Sequence, residues 1–433
     1  MNQYKLKDVA ISQTGPFGSQ LHEDDYVENG IPIVTVEHLG DIGFTTQNLP
    51  MVSEKDACRL KKYCLKKGDI VFSRVGSIDR NVYTKEEQEG WLFSGRCIRV
   101  RCDITKVNPR YLSFYFKLPS FKQMMFNRSV GATMPSLNTA IMDELPLLLL
   151  NRNEQDKIAK ILGGIDDKIE NNNTIVAQLE SLAKTIYDYW FVQFDFPDKN
   201  GRPYKSSGGK MVWNERLQRE IPDGWKVDCL GNHIKIDRGI SYSSDELMPD
   251  GIPMINLNSF HSDSTYKVKG IKKYSGPYKK INLIQPYDLL ICMTQQSPID
   301  ITGSSDIIGK AIILPDCFSE SEVVMSMDVA RLNCDQKYGR YYLKRLLDKD
   351  FFHKYIVGFA SGTKIKHLHL IGLMEYSCEI PDSDLIEKYN QISYTIYCKI
   401  SEIIKENQRL ASLRDFLLPL LMNGQVSFKS DSI

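Results

Sequence analysis

Residues 153–190 carry an apolar heptad, with Ile158, Ile165, Asn172, Leu179 and Ile186 at its first position and Ile161, Lys168, Ile175, Leu182 and Tyr189 at its fourth. Periodicity sustained this long dictates one amphipathic helix of coiled-coil type, and at 1.5 Å per residue it would make a rod of about 55 Å, longer than a globular core needs. Asn153 with Asp156 reads as a capped start, Asp156/Lys160 and Glu180/Lys184 as acid-before-base pairs one turn apart, and Pro197 as the stop. Only Gly163-Gly164 interrupts the pattern, at a cost of roughly 1 kcal/mol each relative to Ala, and it invites a bend.

The pattern recurs 231 positions later, from Ile158 to Tyr389. Tyr389, Ile396, Ile403, Leu410 and Leu417 take the first position, and Ile392, Lys399, Glu406, Leu413 and Leu420 the fourth. Lys168 answers to Lys399, Leu179-x-Ser181-Leu182 to Leu410-x-Ser412-Leu413, and the opening Asn153-x-x-Asp156 to Asp384-x-x-Glu387. Shared apolar phase alone arises by chance; a shared cap, lysine and serine indicate duplication.

The segments before each helix repeat as well. Gly30-Ile31-Pro32 leads into the strand-like run Ile33-Val34-Thr35-Val36, Gly68-Asp69 into Ile70-Val71-Phe72, and Cys97-Ile98-Arg99-Val100 forms a third strand before a helix over 109–125. Gly251-Ile252-Pro253, Tyr287-Asp288 and Arg331-x-x-Cys334-Asp335 repeat that order, with an insertion of roughly a dozen residues in the second copy placed at 295–305. The expected organisation is an α+β chain. It has a mixed α/β domain at 1–150, a long helix at 151–195, a turn-rich linker at 196–221, a second domain at 222–381, a second long helix at 382–427 and a tail at 428–433. Antiparallel helices between two similar domains would give the chain an internal pseudo-twofold repeat.

Composition sets limits on function. The 433 residues are 42% hydrophobic and 25% charged, enough for two cores, and a formal net charge of +1 means that any claim of nucleic-acid binding must rest on local charge. Because no apolar run approaches 18 residues, the N-terminus is polar and the ten cysteines form no C-x-x-C pair, a reduced cytoplasmic location is expected, with the cysteines as core residues rather than metal ligands.

The run Ile186-Tyr187-Asp188-Tyr189-Trp190-Phe191-Val192-Gln193-Phe194, then Pro203-Tyr204-Lys205-Ser206-Ser207-Gly208-Gly209 and Arg219-Glu220-Ile221-Pro222-Asp223-Gly224-Trp225, resembles the specificity subunit of type I restriction-modification enzymes. The opening Glu154-Gln155-x-x-Ile158 and the domain-helix-domain-helix order are similar to it too, so the resemblance spans the chain. It implies two target-recognition domains that each read one part of a split DNA sequence across a fixed spacer, held apart by the two helices. It also implies a chain without catalytic residues, metal or cofactor, in which S-adenosylmethionine, ATP and Mg belong to separate methyltransferase and restriction subunits.

The residues agree with such a plan on their own terms. Basic clusters precede the shared strand in both copies, Arg59-Leu60-Lys61-Lys62 with Lys66-Lys67 in one and six lysines from Lys267 to Lys280, Lys279 among them, in the other. These are either solvated faces or phosphate contacts. Base reading needs paired donors and acceptors, and the loop after the strand supplies Arg74, Ser77, Arg80 and Asn81 in the first copy and Gln295, Gln296, Ser297 and Lys310 in the second, Lys310 matching Arg80. Ordinary polar hairpin loops are the competing interpretation. A second matching pair of glycine-containing loops offers Arg128 and Thr133, and Thr363, Lys364 and Lys366. Aromatic crowding at Tyr187, Trp190, Phe191 and Phe194, with Leu418 and Leu421 near the end of the second helix, points to partner docking or to packing on the neighbouring domain.

Catalytic patterns fail by comparison. No Asn/Asp-Pro-Pro-aromatic run for amino-methyl transfer is present, nor a glycine-rich S-adenosylmethionine loop, and Gly303 to Lys310 has Ala311 where a phosphate loop needs Ser or Thr. Asp316 and Asp335 with Lys337 fit a loose nuclease pattern, but the duplicate of Asp335, Asp103, favours a shared turn; His367 and His369 lack an acidic third ligand. Three readings remain: a specificity subunit, a stand-alone bivalent DNA-binding or coiled-coil adaptor, and a metal-dependent nuclease. If the helices act as a ruler, a heptad inserted after Ala177 should lengthen the tolerated spacer by roughly 3 base pairs.

Overall fold

The computed structural model describes residues 1–16, 20–131, 133–296, 307–318, 321–334 and 339–426. The chain divides into two compact units, Met1–Asn172 with Asn407–Ile433, and Asn173–Glu406.

In the first unit, strands β1 (Ala10–Thr14), β2 (Ile70–Ser73), β3 (Asn81–Tyr83) and β4 (Cys97–Cys102) form an antiparallel sheet in the order β1-β4-β2-β3. The unbroken apolar run of β2 is buried on both faces: Ile70 and Phe72 enter a core shared with helices, whereas Val71 enters a second core with Ile33, Val34 and Phe93. Those residues belong to a smaller sheet, Tyr26–Val27, Met51–Val52, Ile31–Val34 and Leu92–Phe93. Asn2–Lys5 pairs antiparallel with Pro146–Leu149 and brings the two ends of this globular part together. The helix expected over 109–125 is two helices, Pro109–Tyr115 and Pro119–Arg128, because Pro119 has no amide to continue the first and a backbone torsion suited to starting the second.

The second unit repeats this plan. Strands β5 (Ile234–Arg238), β6 (Leu289–Cys292), β7 (Ala311–Ile313) and β8 (Val329–Cys334) form a sheet in the order β5-β8-β6-β7. Leu289 and Ile291 again face one core and Leu290 and Cys292 another, and Lys226–Cys229 pairs with Ser377–Ile380 as the closing ladder. Where an extended linker was expected, Met211–Asn214 and Arg219–Pro222 form a hairpin, and Phe196 stacks between Tyr204 (4.7 Å) and Trp225 (5.6 Å).

Each unit contains antiparallel parts of two long helices, Arg152–Tyr187 and Ser383–Met422. In the first unit Arg414 donates to Asp166 (2.9 Å) and Asn172 to Asn407 (2.9 Å); in the second, Tyr389 donates to the Ala183 carbonyl (3.0 Å) and Tyr397 to Glu180 (3.1 Å). The first helix begins one residue before Asn153, capped by Asn151, whose side chain accepts from the Glu154 amide at 3.0 Å. The second begins at Ser383, so Asp384 lies inside it rather than capping it. No break occurs at Gly163-Gly164, since the Arg110 guanidinium lies where a side chain on Gly163 would stand and donates to the Gly163 carbonyl (3.0 Å) and to Asp167 (2.6 Å).

The buried seam differs from the expected one. Ile158, Leu162, Ile165, Ile169 and Asn172 are buried, as are Tyr389, Ser393, Ile396, Ile400 and Ile403: the first heptad position with the fifth, not the fourth. Fourth-position side chains Ile161, Leu182, Tyr189, Ile392 and Leu413 are exposed. Each helix segment packs on its partner and also on a globular part, which draws in Ala159, Tyr187, Tyr397 and Leu418 and rotates the apolar stripe away from a two-helix seam.

Candidate nucleic-acid interface

The structure joins the two loop pairs that the sequence presented separately. In the first unit, the loop after β2 pairs with the 130–137 loop: Gly76 donates to the Pro135 carbonyl (2.9 Å), Leu137 to the Arg74 carbonyl (2.9 Å), and Val75 and Val130 both bridge to Ser136. In the second unit these bridges have grown into a sheet of Thr294–Gln296, Ile365–Leu368 and Ala360–Ser361, with Leu368 donating to the Met293 carbonyl at 2.9 Å. Gly131 (φ 105°) and Gly362 (φ 127°) turn the second loops; a side chain there would also meet the Met134 or Ile365 carbonyl, so both turns require glycine.

The equivalence of Arg80 and Lys310 extends to the backbone. Ser73 donates to the Arg80 carbonyl (3.1 Å) and Cys292 to the Lys310 carbonyl (2.9 Å), while the Arg80 and Lys310 amides donate to the carbonyls three residues before them. Beneath each loop an aspartate fixes the strand entrance. Asp69, almost fully buried, accepts from the Lys66 amide (2.8 Å) and from Arg101 (2.7 and 2.6 Å), and Asp288 accepts from the Gln285 amide (2.8 Å) and Arg331 (3.4 Å). Hydrogen bonding to Asp69 raises the Arg101 pKa beyond its ordinary value, and although burial opposes it, Arg331 and Asn333 hold the Asp237 carboxyl below its own.

The expected readers divide into four groups. Ser77, Arg80, Thr133, Thr363 and Lys364 are exposed on the joined loops, with Lys310 and Lys366 half-buried beside them. Arg74, Gln295 and Asn81 have other surroundings. The Arg74 guanidinium donates to the Leu137 (3.3 Å) and Gly95 (3.2 Å) carbonyls, and Gln295, 6% exposed, accepts from the Ile307 (2.8 Å) and Ile308 (3.1 Å) amides. Both tie loops together and have little freedom to reach a base edge; Asn81 is buried in β3. Arg128 stands in a separate groove with Gln3, Tyr4, Lys5 and Glu144, and Lys279 on a turn that Asn282 ties to the Arg238 carbonyl (3.2 Å). Ser297, the Gln296 side chain, most of the expected insertion, and Asp335 with Lys337 lie outside the described residues.

Basic clusters are partly neutralised: Arg59 pairs with Asp56 (3.0 Å) and Lys67 with Glu86 (2.9 Å), whereas Lys279 and Lys280 are exposed. Asp316 pairs with Lys405 at 2.8 Å, and among the described residues no cluster of His, Cys, Asp and Glu is suited to a metal. No helix among them is long and apolar enough to cross a membrane.

The expected docking aromatics are core residues. Tyr187, Phe191 and Phe194 are buried, Trp190 is half-buried, and Phe191 packs edge-on to Tyr342 (4.9 Å) and Tyr389 (5.3 Å). A π-turn at Asp188–Val192 ends the helix and swings Phe191 inward; Leu418 and Leu421 are likewise buried, in the core of the first unit. The exposed fourth-position residues, with Phe416 65% exposed, are the apolar surface that the helices present instead.

Residues 1–181 match the family described as the type I restriction modification DNA specificity domain. The chain is 26% identical over 318 residues to the type I restriction enzyme MjaIX specificity subunit of Methanocaldococcus jannaschii, covering 73% of this chain and 68% of that one. It is 22% identical over 463 residues to the HindI specificity subunit of Haemophilus influenzae, covering 92% and 95%. In fold it is similar to the S subunit of a type I restriction-modification system from M. genitalium, with a TM-score of 0.54 at 15% identity over 97% of this chain and 96% of that one. The chain thus has a type I restriction modification DNA specificity domain match over residues 1–181 and a likeness to named specificity subunits along most of its length.

Proposed function

We propose that this chain is the DNA-recognition component of a type I restriction-modification complex and that each unit reads one part of a two-part target separated by an indifferent spacer. The observation that carries this reading is the duplicated scaffold. The same hydrogen bonds from Ser73 to Arg80 and from Cys292 to Lys310 hold loops whose exposed side chains differ, as two readers of different sequences require. Ser77, Arg80 and Thr133 are the base-reading candidates of the first unit, Lys310, Thr363, Lys364 and Lys366 those of the second, and Lys279 a phosphate contact.

The chain contributes recognition, and methylation and cleavage come from methyltransferase and restriction subunits that bring S-adenosylmethionine, ATP and Mg. Those subunits dock on the exposed apolar residues of the long helices: Ile161, Leu413 and Phe416 in the first unit, Leu182, Tyr189 and Ile392 in the second. Expressing the chain with its cognate subunits in a host lacking other methylation tests the proposal through the genomic methylation profile. A split methylated motif that changes in one half when residues 1–150 are exchanged supports it. A continuous motif, or methylation without this chain, refutes it.

A further inference from the structure

A third segment reaches the rim of each candidate interface. In the first unit it is the turn at 94–96, closed by the Cys97 amide on the Ser94 carbonyl (2.9 Å) and held by the Arg74 amide on the Arg96 carbonyl (2.8 Å) and by the Arg74 guanidinium on Gly95. In the second it is the turn at 326–328, closed by Val329 on Ser326 (2.9 Å) and held by the Met293 amide on the Asp328 carbonyl (2.7 Å). Thr294 donates to the Asp328 carboxylate at 2.6 Å, and Met327 to the Ile240 carbonyl at 2.7 Å. Gly15 and Gly239 pass so close to Ser94 and Ser326 that a side chain on either would lie 2.2 or 2.0 Å from the serine carbonyl.

The two turns thus share their closing bond, their anchor to the reading loop and their glycine neighbour, and differ in what they project. Arg96 is exposed, and its guanidinium meets no partner among the described residues; Met327 is 50% exposed although its backbone is fixed. A rigid backbone with a free side chain at its tip is how a recognition group is presented. Arg carries paired donors that match the O6 and N7 acceptors of guanine, and an apolar tip suits the methyl group of thymine.

We propose that this turn is a third specificity-determining segment in both units, Arg96 reading a guanine in one part of the target and Met327 contacting a thymine methyl in the other. The inference rests on the DNA-recognition reading above. Its test is selection from a randomised duplex library at fixed salt, using the full-length chain with its copurifying subunits and comparing wild type with Arg96→Ala, Arg96→Lys and Met327→Ala variants of unchanged Tm.

Arg96→Ala should lower discrimination roughly 10-fold or more at one or two adjacent base pairs of a single half, with Arg96→Lys retaining part of it. Met327→Ala should relax a thymine position in the other half by a few-fold, on the order of one lost methyl contact. Motifs identical to wild type, or an affinity loss uniform over all sequences, overturn the inference while leaving DNA recognition standing. A wild-type chain that enriches no sequence instead refutes DNA recognition and, with it, this assignment.

Discussion

Replacing each glycine of the Gly163-Gly164 pair by alanine should change stability in opposite directions. Both lie within one continuous helix, so each substitution gains about 1 kcal/mol of helix preference. At Gly164 a new methyl meets nothing within 4 Å, and that gain is the whole effect. At Gly163 the methyl would stand 2.5 Å from Arg110 Nε and 2.6 Å from Cζ, forcing the guanidinium off both the Gly163 carbonyl and Asp167. Hydrogen bonds to a charged group contribute about 1.5–3 kcal/mol each, but Arg110 is 26% and Asp167 47% exposed, so solvent screening reduces the pair to about 2 kcal/mol in total. Gly163→Ala should therefore destabilise by about 1 kcal/mol where Gly164→Ala stabilises by the same amount. The assay is urea unfolding of the full-length chain with amide hydrogen exchange in residues 152–172 as the local readout. In an Arg110→Ala background Gly163→Ala should become stabilising, which isolates the coupling. Equal stabilisation by both substitutions in the wild-type background would refute the account of why a glycine stands at 163.

Four further outcomes follow from the packing. Phe191→Ala should destabilise the second unit by about 3–5 kcal/mol, seen as a lower unfolding midpoint, instead of weakening partner capture in a protein of normal stability. Phe416→Asp, on an exposed side chain, should leave the unfolding free energy within about 0.5 kcal/mol and reduce copurification of the methyltransferase subunit; unchanged copurification counts against the docking surface. Lys5 and Lys7 hold the Glu144 carboxyl at about 2 instead of 4.5, so its stabilising pairs are intact above 4.5 and are lost as the pH falls toward 2. Carboxyl NMR shifts titrating near 4.5 would contradict the pairing. Gln295→Ala should blur the second half of the target while sparing the first, measured by library selection, because it frees the amides at 307 and 308.

Much of this arrangement was legible in the sequence, and the misses have physical causes. Strands β2 and β6 are legible because apolar runs behind Gly68-Asp69 and Tyr287-Asp288 report burial on both faces, β4 because of the run Cys97-Ile98-Arg99-Val100, and β8 through the match of Arg331-x-x-Cys334 to that run. The equivalence of Arg80 and Lys310 was found because duplication preserves register on both sides of an insertion. The seam was displaced because periodicity states that a stripe exists and not what covers it: Ile161 and Leu162 are equally apolar, yet only Leu162 meets the core. For Phe191 the sequence leaves partner docking and packing on the neighbouring domain open, and a π-turn that no local signal announces turns it into the core. Arg74 and Gln295 have the chemistry of base readers, but that chemistry serves a carbonyl or an amide equally well, and only tertiary placement decides. The 94–96 turn is not legible in the sequence because the bonds that close it are backbone bonds, which leave no trace in side-chain identity.

Each globular part is closed by a short ladder between its own two ends, Asn2–Lys5 with Pro146–Leu149 and Lys226–Cys229 with Ser377–Ile380. Main-chain hydrogen bonds hold these ladders, and main-chain bonds tolerate many side chains. In the second unit the chain thus enters and leaves through neighbouring strands, so the two ends of the segment 226–380 fall together at one site. Both long helices, Arg152–Tyr187 and Ser383–Met422, lie outside that segment, so an exchange of the segment would keep their sequences unchanged.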